Sequence, residues 1–322
     1  MEKQVSQVSQ QGLAEMDNGT VDRRRFVMGA GLGLAASSVL AIPGSNVLAA
    51  TPGAMATQET QSAGRPKASA QYPIKFVPLE QYKEFFAHIK LTREDGILTV
   101  RLHGNEGEFT WSVGAHHELA MLWNYIGSDP ENKVIILTGT GNNYLAKTEY
   151  EPEIFKNLDS ADYLLISQDG RKLVNDFIDI EQPVIAALNG PVHMHSQIPL
   201  LCDIVIATPE TTIKDHHLPN AVPSDGHHVV WPMVFGLHRA NYFFLMQKTI
   251  SSVEAQQLGA ISEIVDREKL LPRANEIAQS LLKIDPIALR TYRQSVMQPV
   301  KRAMLESLSL GILTVGYGFL RR

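Results

Sequence analysis

Apolar and polar residues first alternate in a regular pattern near residue 89. The segment IKLTREDGILTVRLHG, residues 89–104, contains two alternating runs on either side of Asp95 and Gly96. An Asp-Gly pair between two such runs is a strong signal for a β-hairpin, because its two-residue turn needs a positive φ at both positions. The pattern therefore predicts two paired strands.

Further along the chain, continuous apolar runs alternate with segments of helical spacing. The runs KVIILTGTG (133–141), PVIAALNG (183–190) and IVIA (204–207) predict buried strands, whereas residues 111–127 and 161–179 have the spacing of amphipathic helices. Strands that alternate with helices predict an α/β domain built on a parallel sheet.

The end of the chain is mostly helical in pattern, with helices predicted over 287–297 and 299–321 among others. Before this part, the stretch DHHLPNAVPSDGHHVVWP at 215–232 has neither helical nor strand periodicity, and it predicts a loop. We therefore expect a core over about 88–250 and a helical region over about 251–322.

The N-terminal pattern is that of an export signal. DRRRFV at 22–27 precedes an apolar run of about seventeen residues, shorter than the roughly twenty that span a bilayer. Paired arginines before such a run, with small residues near Ala50, are typical of a twin-arginine signal. We predict a signal peptide over 1–50, a disordered linker over 51–73 and a folded domain over 74–322. This predicts a periplasmic or secreted protein without stable membrane insertion after export, and a single membrane anchor is the alternative.

Composition removes several classes of function. The chain has 322 residues, a net charge of −5 and one cysteine. This charge argues against nucleic acid as a partner. Because Cys202 is alone, no intrachain disulfide is possible, and its apolar neighbours predict a core position.

Five segments together resemble the crotonase (enoyl-CoA hydratase/isomerase) superfamily. They are NKVIILTGTG, PVIAALNGPV, LCDIVIA, VPSDG and AQQLGAISEIV, in this order, and the resemblance covers about residues 88–320. It implies a crotonase fold, which is a parallel-sheet ββα superhelix core with a C-terminal helical trimerisation region. It also implies a homotrimer or a dimer of trimers.

The departures from that superfamily concern its chemistry. Typical crotonases follow the Asn-Gly pair with a glycine triplet that helps to form the oxyanion hole, and here Met194 and His195 stand there. By the same alignment, Gln197 and His216 occupy the positions of the two catalytic glutamates. The loss of both carboxylates therefore argues against water addition to an enoyl thioester by that route.

The same departures resemble one branch, 6-oxocamphor hydrolase and related β-diketone hydrolases. The shared features are WSVGAHHELA, NGPV followed by a histidine and IP, and HVVWP beside the Asp-Gly pair. That branch cleaves a carbon–carbon bond of a β-diketone hydrolytically, without metal or CoA. By position, His216 and Asp225 match its base and orienting pair, His195 and His116 match other active-site histidines, and Trp111 matches a residue that contacts a substrate carbonyl.

Two further positions follow from the resemblance. The superfamily places its other oxyanion donor, a backbone N–H, near Leu145 in the turn 141–147. In the last helix, where the branch is expected to carry a glutamate, this chain has Val315.

These residue types suit a retro-Claisen reaction. A histidine can deprotonate water, and an aspartate on its other ring nitrogen fixes the tautomer. Donors must face the oxygens on which negative charge develops. We therefore predict a hydrolase that cleaves a small, cyclic β-diketone with no cofactor and no metal. His216, Asp225 and His195 are predicted as catalytic, and Trp111, His116 and Leu145 as substrate-binding.

Other interpretations of the histidines stay open. His217 and His227 are interpreted as supporting or surface residues and His228 as structural, and one of His116 and His117 is expected to face solvent. A zinc site is a further alternative, although adjacent histidine pairs do not easily point inward together and none flanks a helical HExxH.

Two alternatives concern the function as a whole. One is a CoA-thioester hydratase, isomerase or hydrolase that uses histidines in place of glutamates. The other is an exported, catalytically degenerate protein of this fold that only binds. Because CoA thioesters are cytosolic, the predicted export signal favours a substrate that carries no CoA.

Overall fold

A computed structural model describes most of the predicted folded domain. The described residues are 76–105, 107–148, 159–215, 217 and 225–320. The predicted signal peptide, the linker and His216 lie outside these ranges. No helix within them is long and apolar enough to cross a membrane.

Ten short or medium strands lie in the described residues. In chain order they are β1 (Ile89–Glu94), β2 (Ile97–Leu102), β3 (Thr110–Trp111), β4 (Val134–Thr138), β5 (Lys147–Thr148), β6 (Val184–Leu188), β7 (Ile204–Ala207), β8 (Thr212–Ile213), β9 (Ile250–Ser251) and β10 (Glu263–Ile264). Six of them form one sheet in the order β1-β2-β4-β6-β7-β10. All neighbours in it are parallel except β1 and β2, so the predicted parallel core is confirmed.

Helices connect and cover these strands. They are α1 (Leu79–Tyr82) with a 3-10 turn (Lys83–Phe85), α2 (Val113–Ser128), α3 (Ser160–Asp179), α4 (Gln197–Leu200), α5 (His227–Phe235), α6 (Leu237–Leu245), α7 (Ser252–Gln257), α8 (Arg267–Leu281) and α9 (Pro286–Leu320). Helix α2 begins at Ser112, whose side chain accepts from the Ala115 N–H, and Asp159 caps α3 in the same way. Both caps satisfy backbone donors that the first turn leaves unpaired.

The predicted hairpin is confirmed. Strands β1 and β2 pair antiparallel from Ile89 opposite Leu102 to Glu94 opposite Ile97. The turn residues Asp95 and Gly96 have φ values of 49° and 86°, which is the left-handed geometry that favours an Asp-Gly pair.

The central strands β4 and β6 are buried along their whole length. One sheet face packs against the core that includes α2 and α3, and the other packs against α8, where Ala274 and Ala278 allow a close approach. Strands covered on both faces read as continuous apolar runs, which is why the sequence predicted them well.

Two helices differ from the sequence prediction. Helix α5 begins at His227, inside the stretch that was predicted as a loop. The prediction missed this helix because Pro232 and the valines hide the helical pattern. Helix α9 is continuous through Pro299, where two separate helices were predicted. Its buried side chains pack along α3 and α5, and this tertiary packing outweighs the backbone hydrogen bond that a proline removes.

An Asn-Gly pair joins the loops that follow β4 and β6. The Asn189 side chain accepts from the Gly139 N–H at 2.9 Å and donates to the Gly141 carbonyl at 2.9 Å. A Cβ at Gly190 would lie 2.0 Å from the Asn142 carbonyl oxygen, so only glycine fits there. The pair therefore fixes the loops at the carboxyl ends of the strands, where α/β folds place their ligands.

Candidate active site

His217 lies between two carboxylates. Its Nδ1 is 2.9 Å from Asp215 Oδ2, and its Nε2 is 3.5 Å from Asp225 Oδ2. The other oxygen of Asp215 accepts from the His217 backbone N–H at 2.8 Å. The Asp215 contact is the shorter one, so Asp215 holds the ring while Asp225 lies across its other nitrogen.

Local backbone geometry places Asp225 at this position. Asp225 and Gly226 both have left-handed φ values, 50° and 89°, and the chain enters helix α5 directly afterwards. Aspartate tolerates this conformation better than most residues. A Cβ at Gly226 would lie 2.8 Å from the Met304 side chain of α9, so the glycine also allows α9 to approach.

The two carboxylates control the charge of His217. Burial alone would lower its pKa, but the charges of Asp215 and Asp225 and their hydrogen bonds outweigh burial and raise it to about 10. Burial would raise the pKa of both carboxyls, yet the neighbouring histidines hold both below the ordinary value. The resting form of the cluster is therefore an imidazolium between two carboxylates at neutral pH.

This arrangement predicts that stability falls at alkaline pH. A histidine whose pKa is raised in the folded state stabilises the protein fully below its unfolded pKa, about 6.5, and this stabilisation is lost as pH rises through about 10. We expect the free energy of unfolding to fall between these values by at most about 5 kcal/mol, at about 1.36 kcal/mol for each pKa unit. Urea denaturation at pH 6.5 and pH 10 measures the change.

The matched comparison for this prediction is His217→Gln against His238→Gln. His238 is exposed, so its replacement should leave the fall in the free energy of unfolding at alkaline pH as it is in the wild type. His217→Gln should remove most of it. An equal alkaline loss in all three proteins would contradict the charge assigned to His217.

His227 completes the same cluster. It is 1% exposed and its Nε2 is 3.4 Å from Asp215 Oδ2, so the interpretation as a surface residue is wrong and the supporting one fits. Asp215, His217 and His227 offer ligand atoms that all lie within 4.8 Å of one another. This is the donor set of a two-histidine, one-carboxylate metal site, and in the structure the three groups pair with one another.

His195 is the second histidine of the site. It is buried, and its backbone has the uncommon left-handed φ of 42°. Gln197 Nε2 donates to the Asp225 carbonyl at 2.8 Å and lies 3.1 Å from His195 Nδ1. Because a carbonyl only accepts, this nitrogen is a donor, so His195 Nδ1 accepts and its proton sits on Nε2. Burial lowers the His195 pKa well below its usual value, and the ring is a neutral N–H donor.

Trp111 and His116 pack against His195. The Trp111 ring centroid is 4.2 Å from that of His195 and 5.3 Å from that of His116. The Trp111 indole N–H and His116 Nδ1 are buried without a hydrogen-bond partner among the described residues. Burial also lowers the His116 pKa, and the His116 and His195 ring centroids lie 5.6 Å apart. The structure thus brings Trp111, His116, His195 and Asp225 together, as predicted.

His117 and His228, the other members of the adjacent pairs 116–117 and 227–228, differ in how exposed they are. The His117 side chain is 61% exposed and pairs with Asp169 at 3.0 Å, so the expectation that one of His116 and His117 faces solvent is confirmed. His228 is half-buried and contacts Ser307 Oγ of α9 at 3.1 Å, which agrees with a structural role.

The Leu145 side chain lines the site, but the Leu145 backbone N–H is not free to donate to a ligand. Its backbone N–H donates to the Pro191 carbonyl, and the Ala146 N–H donates to the Asn143 side chain. The Met194 N–H donates to the Leu145 carbonyl. The expectation of an available backbone oxyanion donor near Leu145 is therefore wrong for these groups, because the loops bond to each other.

An apolar cavity of about 20 Å³ opens beside His195, at the carboxyl ends of β2 and β4. Its walls are mostly leucine and aromatic side chains, among them Leu102, Leu137, Trp111, Trp123 and Leu145. This volume holds about one water molecule, so a larger ligand requires the side chains to move apart. Val315 is buried on α9 and adds no polar group.

Sequence reasoning missed Asp215 and assigned His217 a minor role. The spacing of the two residues contained the signal, because an aspartate can bond the backbone and the ring of a histidine two positions later. His216, which was predicted as the base, lies outside the described residues.

Comparison with known proteins agrees with this architecture. A family model for enoyl-CoA hydratase/isomerase matches residues 92–313. A β-diketone hydrolase from the cyanobacterium Anabaena sp. PCC 7120, solved bound to (S)-3-oxocyclohexyl acetic acid, is 32% identical with a TM-score of 0.72, and the match covers 75% of this chain and 98% of that one.

Two further matches carry CoA-related names. Hydroxycinnamoyl-CoA hydratase-lyase from Pseudomonas fluorescens is 27% identical over 67% of this chain and 80% of its own length. An enoyl-CoA hydratase/isomerase structure from Mycobacterium paratuberculosis is 24% identical with a TM-score of 0.68, and the match covers 73% and 94% of the two chains. The second match shows the fold alone.

The parallel sheet, the helical C-terminal part and the family match over most of the described residues define an enzyme class with the crotonase fold. The chain belongs to the enoyl-CoA hydratase/isomerase family. The predicted family and fold are thereby confirmed, and a β-diketone hydrolase is among its structural neighbours.

Proposed function

We propose that the protein is a hydrolase that cleaves a carbon–carbon bond of a small β-diketone. The observation that carries the proposal is the position of His217 between Asp215 and Asp225. His217 contacts His227, whose ring centroid lies 6.4 Å from that of His195, a residue that lines the cavity. Gln197 and the histidine loop replace the two carboxylates that a hydratase would use, so this site has a base of a different kind.

His217 is the proposed base. The base is the neutral form of this ring, which becomes the main form only as the pH approaches the raised pKa of about 10. In that form Asp215 holds the Nδ1–H at 2.9 Å, and Nε2 is the atom that takes a proton from water. Asp225, 3.5 Å from that Nε2, balances the imidazolium charge that results. In this scheme Asp215 has the orienting role that the sequence gave to Asp225.

Neutral donors stabilise the charge on the substrate. The Trp111 indole N–H is buried without a hydrogen-bond partner among the described residues, and the His195 ring that carries the Nε2–H is held at Nδ1 by Gln197. Donors that are buried and fixed in advance stabilise a developing oxyanion more strongly than donors in water.

The proposed reaction balances as follows. The water oxygen bonds to one carbonyl carbon while its proton moves to His217 Nε2. The bond between that carbon and the central carbon then breaks, and its electron pair leaves as the enolate of the second carbonyl. The enolate carbon takes the proton back from His217. A cyclic diketone and one water thus give one keto acid.

The substrate class follows from the walls of the cavity. Its lining is apolar apart from the few donors described above, which suits a small alicyclic compound and offers nothing for a phosphate. The Anabaena β-diketone hydrolase, which is 32% identical, was solved with a keto acid, and a keto acid is likewise the kind of product expected here.

The test compares two substrates on the full chain. We expect acid release from 2,2-dimethylcyclohexane-1,3-dione, followed by titration at constant pH, and no hydration of crotonyl-CoA. Dialysis against a strong chelator should leave the rate unchanged, since the proposed base needs no metal. Turnover of crotonyl-CoA without turnover of the dione would favour the CoA-thioester alternative, and no turnover of either would favour a binding protein.

A further inference from the structure

Two indole N–H groups at the same cavity are buried without an acceptor. Trp111 is 0% and Trp123 is 2% exposed, and neither Nε1 has a hydrogen-bond partner among the described residues. Both rings line the cavity beside His195. Buried indole N–H groups are usually bonded, so each of these two lacks a partner that a ligand can supply.

The two tryptophans reach the cavity from different elements. Trp123 lies on α2, seven residues after His116, and therefore two turns further along the same helix face. Its ring packs edge-on against Phe177 of α3, with centroids 5.0 Å apart. Trp111 belongs to β3 and stacks near His195. Packing thus fixes both rings and leaves both N–H groups unused.

The third tryptophan of the chain provides an internal contrast. Trp231 is also fully buried, but its Nε1 donates to Ser196 Oγ at 3.1 Å. The protein therefore satisfies an indole N–H where no ligand is needed. The two that it leaves unsatisfied are the two that line this cavity.

We propose that Trp123 forms a second oxygen-binding position in the cavity, so that the ligand is a small alicyclic compound with two acceptor oxygens, one held by Trp111 and the other by Trp123. The proposal rests on the proposed function and deepens it, because a β-diketone and its keto acid product each carry acceptor oxygens on two separate carbon atoms. Trp123 is then a specificity-determining residue: a site built to bond an oxygen discriminates against the analogue that lacks it.

Nitrogen-15 labelling of the tryptophans tests this directly in the wild-type full chain. The chain has three tryptophans, hence three indole N–H signals, which single Trp→Phe variants assign. The probe is 3-oxocyclohexylacetic acid. We expect the Trp111 and Trp123 signals to move downfield on titration, as an N–H does when it gains an acceptor, while the Trp231 signal moves least.

Three outcomes would overturn the proposal. Movement of Trp111 alone means that Trp123 is only a packing residue. Saturation seen by calorimetry with neither signal moving means that the ligand lies elsewhere, and no binding of the keto acid means that the ligand class is wrong. Dione hydrolysis is measured in the same preparation: if both signals move without turnover, the proposed function fails and the two-oxygen site stands.

A variant gives a second, independent readout. Trp123→Phe keeps an aromatic ring against Phe177 but removes the N–H, and thermal melting is used to check that the variant folds. We expect about tenfold weaker binding of the keto acid, the size of one net hydrogen bond. Two analogues each lack one of the two acceptor groups: cyclohexylacetic acid lacks the ketone, and 3-methylcyclohexanone lacks the carboxylate. The analogue without the oxygen held by Trp123 should bind the variant and the wild type equally. Equal weakening of all three ligands would reduce Trp123 to a packing residue.

Discussion

His217→Ala should lower kcat for dione hydrolysis by about a thousandfold, because positioned general acid–base groups contribute roughly 10² to 10⁴ in rate. The residue takes the proton from water in the proposed scheme, and it lies between the carboxylates of Asp215 and Asp225. Initial rates of acid release at saturating dione measure the effect. Thermal melting of the variant separates a loss of rate from a loss of fold.

The matched control is the neighbouring residue. His216→Ala removes an imidazole from the same loop, and we expect it to retain most of the wild-type rate. The sequence alone favours His216, so the pair of variants decides between the two assignments. A thousandfold loss in His216→Ala with little change in His217→Ala would show that the sequence prediction was right and that ours is wrong.

Asp215→Asn should move the pH dependence of the reaction rather than simply abolish it. The base must be unprotonated to accept a proton, and its pKa is raised to about 10, so wild-type kcat/KM should rise with pH toward that value. Loss of the Asp215 charge lowers the pKa of His217. We expect the inflection to fall by about one to three pH units, the usual effect of one nearby opposite charge, and the plateau to fall as the base weakens.

The substrate and the control for this experiment are chosen so that only the site titrates. A dione with two methyl groups between its carbonyls has no acidic proton there, so kcat/KM reports the free enzyme. Asp169→Asn removes a carboxylate that pairs with the exposed His117 and should leave the inflection unchanged. An inflection that stays in place in Asp215→Asn would contradict the role given to Asp215.

Long apolar runs and turn residues were the predictable part of this fold. The strands β4 and β6 are buried on both faces, and the Asp95–Gly96 turn uses left-handed backbone that few other pairs adopt. Their sequences therefore leave little choice of structure. Helix α5 was missed because packing, rather than local propensity, determines where it begins.

The candidate site was predictable only as a set of residue types. Trp111, His116, His195 and Asp225 do converge, but the sequence could not say which member of the pair His216 and His217 faces Asp225. A shift of one residue in the loop would exchange the two histidines. The loop geometry depends on contacts such as the hydrogen bond from the His217 backbone N–H to the Asp215 side chain. The burial of His227 likewise depends on helix α5, which the pattern of apolar residues did not predict.

The amide of Gln197 has a consequence for how this enzyme is related to hydratases. Its single Nε2 supplies both the bond to the Asp225 carbonyl and the contact with His195 Nδ1. A glutamate there would present only oxygens. Its contact with the Asp225 carbonyl would become repulsive unless the carboxyl were protonated, and His195 would have to carry its proton on Nδ1 instead of Nε2. The glutamate that the hydratases of this superfamily are expected to carry at residue 197 is therefore incompatible with the present contacts of residues 195, 197 and 225.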